Sequence, residues 1–243
     1  MERFCPIEDD SSPAYSPEES LCEKQFAETI FRNPGGRYVV RLPLKRDMLH
    51  KLDDNHRTAL HRFRLLETRL KRDPILAVEY QAFMDEYIAL GHMEHIDDSQ
   101  SAAKPSFLLP HHPVIRENSS TTKVRVVFDA SCKGASGLSL NEMMLVGPVI
   151  HEELRSIILC ARLHPVMLIA DIAKMLRQIW VHHEDTPLQR AFWRSSPANP
   201  VQIYELKTIT YGTAAAPYLP VSSEIDTRRF LRRRLYHKHE YSR

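Results

Sequence analysis

The chain has 243 residues, room for one large domain or two small ones. Its 43% hydrophobic and 26% charged content suits a folded protein with a core, and a net charge of +2 excludes any reading resting on global charge. Cys5, Cys22, Cys132 and Cys160 form no CxxC pair, which argues against a zinc ribbon and for reduced thiols.

No apolar run approaches the about 20 residues of a membrane span. The first residues, MERFCPIEDDSSP, carry no apolar core of a signal peptide. The expectation is an intracellular chain, cytoplasmic or nuclear and not secreted, with no membrane partner. His92 and His95, the pair His111–His112 and the pair His182–His183 match no zinc motif. They are expected on the surface and in loops.

Residues 1–16 are acidic with Ser and Pro, a composition expected to be disordered. Ser16, Pro17 and Glu19 then write a helix start: a cap, a first-turn proline and the acid of a capping box. That helix should stop near Asn33-Pro34-Gly35-Gly36. RYVVRLPLK (37–45) follows as a short strand broken at Pro43. Residues 54–72 place Leu60, Phe63, Leu66 and Leu70 on one helical face. A second helix from about Pro74 carries Leu76, Tyr80, Phe83, Tyr87 and Leu90 on its core stripe, with Gly91 as its C-cap. The two form a helical hairpin.

From residue 105 the pattern turns to strands. KVRVVFD (123–129) alternates, with Val124, Val126 and Phe128 facing one way and Lys123, Arg125, Val127 and Asp129 the other. Residues 151–163 read as a short helix with Leu154, Ile157, Ile158 and Ala161 inward. PVMLIAD (165–171) reads as a buried strand ending on Asp171. AFWR (191–194) and VQIYELKTI (201–209) are two further strands joined by SSPANP. YGTAAAPYLP (211–220) is a small-residue turn, and residues 222–240 could form a basic helix.

Three features carry chemistry. A carboxylate on a rigid strand end can cap the next turn, or it can serve metal-dependent phosphoryl transfer. Lys123 and Arg125 on one strand face could hold a triphosphate, or belong to a solvated face with Asp129 pairing Arg125. Gly212, followed by small residues, lets a backbone or a nucleotide approach closely, or simply makes a tight turn.

The order of these features resembles one family. TKVRVVFDAS…GLSLNEMMLVGPVI (122–150), ADIAKMLRQIWVHHEDTPLQRAFWR (170–194) and YELKTITYGTAAAP (204–217) closely resemble the reverse transcriptase of Pao/BEL-type LTR retrotransposons. SPEESLCEKQFAETIFRNPGGRYVVRLPLK and DPILAVEYQAFMDEYIALGHMEHI are similar to that family's segment between protease and polymerase. The resemblance implies an RNA-directed DNA polymerase with an α+β fold. A helical linker region over 17–100 would precede a partial fingers and palm over 101–219 with a small, mostly antiparallel sheet. A divergent basic tail would fill 220–243.

Asp171 then matches the first metal-binding aspartate, and the Ile172 carbonyl a second Mg²⁺ contact. Lys123 and Arg125 match residues that touch the incoming dNTP, and they are expected to face the same open cleft as Asp171. Gly212 matches the support of the templating base, and a nucleic-acid template-primer is the implied partner. The family's sugar-blocking aromatic is replaced by Leu176, and its usual acid by Ala173. The Asp-Asp pair the family places downstream is absent: such pairs occur only at 9–10, 53–54 and 97–98. The expectation is a truncated polymerase that is inactive alone, with Mg²⁺ a cofactor only of a complete site. The alternative is a non-enzymatic nucleic-acid-binding remnant using Arg228, Arg229, Arg232, Arg233, Arg234 and Lys238.

Overall fold

Ser16 starts the first helix, α1 (Pro17–Thr29). Its hydroxyl accepts from the Glu19 amide at 3.2 Å, and the Glu19 carboxylate accepts from the Ser16 amide at 2.8 Å. This is the expected capping box. The computed structural model describes residues 15–97, 105–115, 124–150, 153–167 and 171–223. The expected acidic segment over 1–16 and the basic helix over 222–240 therefore fall almost wholly outside the described residues.

After α1 come two short strands, β1 (Phe31–Arg32) and β2 (Tyr38–Val40). Helices α2 (His56–Arg72) and α3 (Pro74–Ala89) form the expected hairpin, hinged on Asp73. The Asp73 side chain accepts from the Leu76 amide, capping α3, and Pro74 fits its first turn. Ala59, Phe63 and Leu66 of α2 are buried, as are Leu76, Tyr80, Met84 and Tyr87 of α3. Leu90 departs from the expected stripe and is exposed. The helix has ended at Ala89, and Leu90 sits in the turn leading to Gly91 (φ +68°), so its side chain leaves the core face.

Strands β3 (Met93–Ile96), β8 (Gln202–Leu206) and β7 (Arg190–Trp193) form one antiparallel sheet with β8 in the centre. Strands β4 (His111–Ile115) and β5 (Val124–Phe128) pair antiparallel, His111 opposite Phe128. β6 (Trp180–Val181) joins β2 in parallel, and β2 joins β1 antiparallel. Two short helices, α4 (Leu140–Met143) and α5 (Leu154–Ala161), complete the set. The architecture is α+β with small, mostly antiparallel sheets.

One apolar core takes residues from both expected regions. Phe63, Tyr80 and Tyr87 of the helical hairpin share it with Val126, Phe128, Phe192 and Trp193 of the strands. The hairpin lies directly on β5 and β7, so it belongs to the body that carries the strands.

Two expectations fail around α5. Leu154, Ile157 and Ile158 do not face inward: Leu154 is 71% exposed and no residue of α5 is buried. The strand expected over 165–171 is also not seen in its described parts. Residues 165–167 and Asp171 are exposed and unpaired, and 168–170 lie outside the described residues. An apolar helix face or strand is buried only when another element covers it. Among the described residues, none does so here.

Two histidines also depart from the expected surface placement. His92 and His111 are buried. The Phe192 carbonyl can only accept, so His111 Nε2–H donates to it at 2.8 Å, and Nδ1 accepts from the Tyr80 hydroxyl. Burial pushes the His111 pKa down to about 4. The folded protein therefore keeps this ring neutral while the unfolded chain takes up a proton below the ordinary value of 6.5. The resulting stability is complete above that value and declines as pH falls toward 4. Urea unfolding at pH 7, 6 and 5 should show this decline, and His111→Gln, which keeps a donor and an acceptor but does not titrate, should flatten it.

Candidate functional site

An open cleft of about 530 Å³ gathers side chains from three separated stretches. β5 supplies the first. Its alternation is as expected: Val124, Val126 and Phe128 are buried, while Arg125 and Val127 are half-buried on the other face. Arg125 lines the cleft. Its neighbour on that face, Lys123, lies outside the described residues.

Asp129 does not pair with Arg125 as expected. It accepts from Arg62 of α2 at 2.5 Å and from the Ser131 amide at 3.0 Å. Asp129 stands just past the end of β5, where its carboxylate turns toward α2 and caps the following turn. Arg125 is left without a hydrogen-bond or ion-pair partner among the described residues.

The second stretch is 171–178. Asp171 and Ile172 line the cleft and are exposed. Lys174 has φ +52°, the one positive φ among the described non-glycine residues. A single 3-10 turn, Met175–Gln178, follows. Leu176 in that turn is only 7% exposed and belongs to the core while also lining the cleft. Arg177 turns the other way, its guanidinium 4.2 Å above the Tyr87 ring and 4.8 Å above that of Phe83. Glu86 of α3 accepts from Arg177 at 3.0 Å, and the same oxygen accepts from Lys174.

The third stretch is the turn at 211–217. Phe128 N–H donates to the Tyr211 carbonyl at 2.9 Å, laying this turn along the end of β5. Gly212 has φ +108°, and a Cβ there would stand 2.1 Å from the Phe128 carbonyl oxygen. Only glycine fits.

Asn141 of α4 holds the turn, and sequence reasoning passed over it. Its amide nitrogen donates to the Gly212 carbonyl at 3.0 Å and to Ser131 Oγ at 2.8 Å, and its oxygen accepts from Ala214 N–H at 2.8 Å. The local signal was readable, since Ser139 and Glu142 write a second capping box that fixes α4 beside the turn.

Of the residues singled out in the sequence, Arg125, Asp171, Ile172, Leu176 and Gly212 thus line one cleft. The basic residues 228–238 lie outside the described residues. Among the described residues, Asp171 is the one carboxylate on the cleft wall, and Arg125 and Lys174 are its two cations. Among the described residues, no group of three His, Cys, Asp or Glu is placed to hold a metal ion. A two-metal phosphoryl-transfer site needs several oxygen ligands per ion at close quarters. This donor set does not fit one.

No family model matches the sequence, and no curated protein matches it. Among solved structures, the chain is distantly similar in fold to the foamy viral protease-reverse transcriptase determined in complex with double-stranded DNA. That similarity covers 61% of this chain and 22% of that one, at 12% identity and a TM-score of 0.41. The chain therefore spans about a fifth of that protein's length.

Proposed function

We propose that the chain is the fingers and part of the palm of a Pao/BEL-type reverse transcriptase, and that its cleft binds the triphosphate of a nucleoside without extending a primer when the chain is isolated. One observation carries this reading. Residues picked from three separate motifs, Arg125, Asp171 with Ile172 and Leu176, and Gly212, line a single cleft.

The chemistry follows from the side chains. Arg125 offers a planar fork with no partner among the described residues, suited to bidentate contact with phosphate oxygens. Gly212 lets the 211–217 turn lie tight against the Phe128 carbonyl, which sets that wall of the cleft. Leu176 adds an apolar side chain to the cleft wall. Asp171 is the single acid among the described lining residues, too few ligands to place two ions against a charged phosphate chain. Template-primer and dNTP would be the ligands of the complete enzyme, with Mg²⁺ entering where further acids are supplied.

The test pairs nucleoside triphosphate binding with primer extension in Mg²⁺ or Mn²⁺. The expected result is measurable binding and no extended primer. Extension that Asp171→Asn abolishes would refute the inactive reading, and failure to bind any triphosphate would refute the site itself.

A further inference from the structure

We infer that Lys174 is a second phosphate-binding cation of the cleft, held on Glu86 until a triphosphate enters. This rests on the nucleotide reading above and names the residue that would set its preference for a long phosphate chain.

The charge balance around Glu86 leads to it. One carboxylate oxygen accepts from both Lys174 and Arg177. Arg177 cannot leave: its side chain is 5% exposed and lies over the Phe83 and Tyr87 rings. It already neutralises Glu86. Lys174 is the surplus charge, and its side chain is 53% exposed. Moving it from Glu86 to a ligand leaves no buried charge unpaired. Burial works against ionisation of Glu86, but the hydrogen bond from Lys174 and the charge of Arg177 outweigh it and hold the carboxyl below its ordinary value.

Position and backbone agree. Lys174 lines the same cleft as Arg125, Asp171 and Gly212. Its left-handed backbone, φ +52° and ψ +41°, is one a lysine rarely adopts. With the Glu86–Arg177 pair closed, the described residues of the cleft retain Arg125 and Lys174 against Asp171. That excess of one positive charge favours a polyanion. Arg125 would fork one phosphate, and Lys174, a compact charge on a flexible stem, would reach another.

The experiment titrates the full chain with a fluorescent nucleoside triphosphate and with the corresponding monophosphate. Lys174→Met should weaken triphosphate binding about tenfold and monophosphate binding far less, as expected for one charge-assisted contact. Lys174→Arg should keep most of the affinity. Lys174→Gly, which accepts the positive φ, guards against misfolding and should show the same loss as Lys174→Met. If Lys174→Met and Lys174→Gly bind triphosphate as the wild type does while Arg125→Ala is impaired, the inference about Lys174 is wrong and the cleft reading stands. An equal loss of both ligands would also overturn it, because that marks a structural effect. If the wild type binds no triphosphate, both fall together.

Discussion

Asp185→Asn should destabilise the protein by about 3 kcal/mol, the cost expected when a buried ion cluster loses its acid. Asp185 has no exposed surface, and its carboxylate accepts from the Leu42 amide, from Nε and one terminal nitrogen of Arg41, and from both terminal nitrogens of Arg46. An amide cannot accept from all these donors, and its NH₂ would face two guanidinium groups. The cluster closes the parallel pairing of β2 with β6, where His182 N–H also donates to the Val40 carbonyl. Burial alone would raise the Asp185 pKa, but the hydrogen bonds from Arg46 and Arg41 hold it below the ordinary 3.8. A lowered carboxylate stabilises the fold above the unfolded value and loses that stability as pH falls through the folded one. Urea unfolding at pH 7 should therefore show the full loss in Asp185→Asn. Below pH 4 the gap between variant and wild type should narrow. An unchanged midpoint at pH 7 would mean that the cluster does not hold the two strands.

Gly212→Ala should cost about 3 kcal/mol or more and abolish ligand binding with it, because two penalties coincide. The added Cβ would stand 2.1 Å from the Phe128 carbonyl oxygen and 3.1 Å from Val127 Cγ1, at φ +108°. The carbonyl cannot retreat. β5 is paired to β4 through Phe128, and Phe128 N–H is bonded to Tyr211 just before the glycine. Gly91 separates the two penalties, since it has φ +68° but open space where a Cβ would go. Gly91→Ala should lose only about 1 kcal/mol, the conformational part alone. Equal thermal shifts in the two variants would show that the close approach at Gly212 is not real.

What the sequence disclosed was local. Ser16-Pro17-Glu18-Glu19 and Pro74 mark helix starts by chemistry confined to a few residues, and the alternation over 124–128 fixes which side chains enter the core. What stayed hidden joins distant stretches. Glu86 meets Lys174 and Arg177, Asn141 clamps Gly212 and Ala214, and Asp185 gathers Arg41 and Arg46. No periodicity announces such contacts, because each partner alone looks like an ordinary polar residue. The helix at Leu154–Ala161 was legible, but the burial expected of its apolar face and of 165–167 failed for a different reason. Apolar spacing shows that a face is apolar, but not that anything covers it. Leu154, Ile157 and Val166 have the spacing of a core and remain exposed.

The central claim is that the cleft at Arg125, Asp171 and Gly212 binds a nucleoside triphosphate through Arg125, which has no partner among the described residues, and through Lys174, which is bonded to Glu86. The most direct measurement is an equilibrium titration of wild type and Arg125→Ala with one nucleoside triphosphate at two salt concentrations. The wild type should bind at least about tenfold more tightly than the variant, and its affinity should fall more steeply with salt. Equal affinities and equal salt slopes for the two proteins would contradict the account.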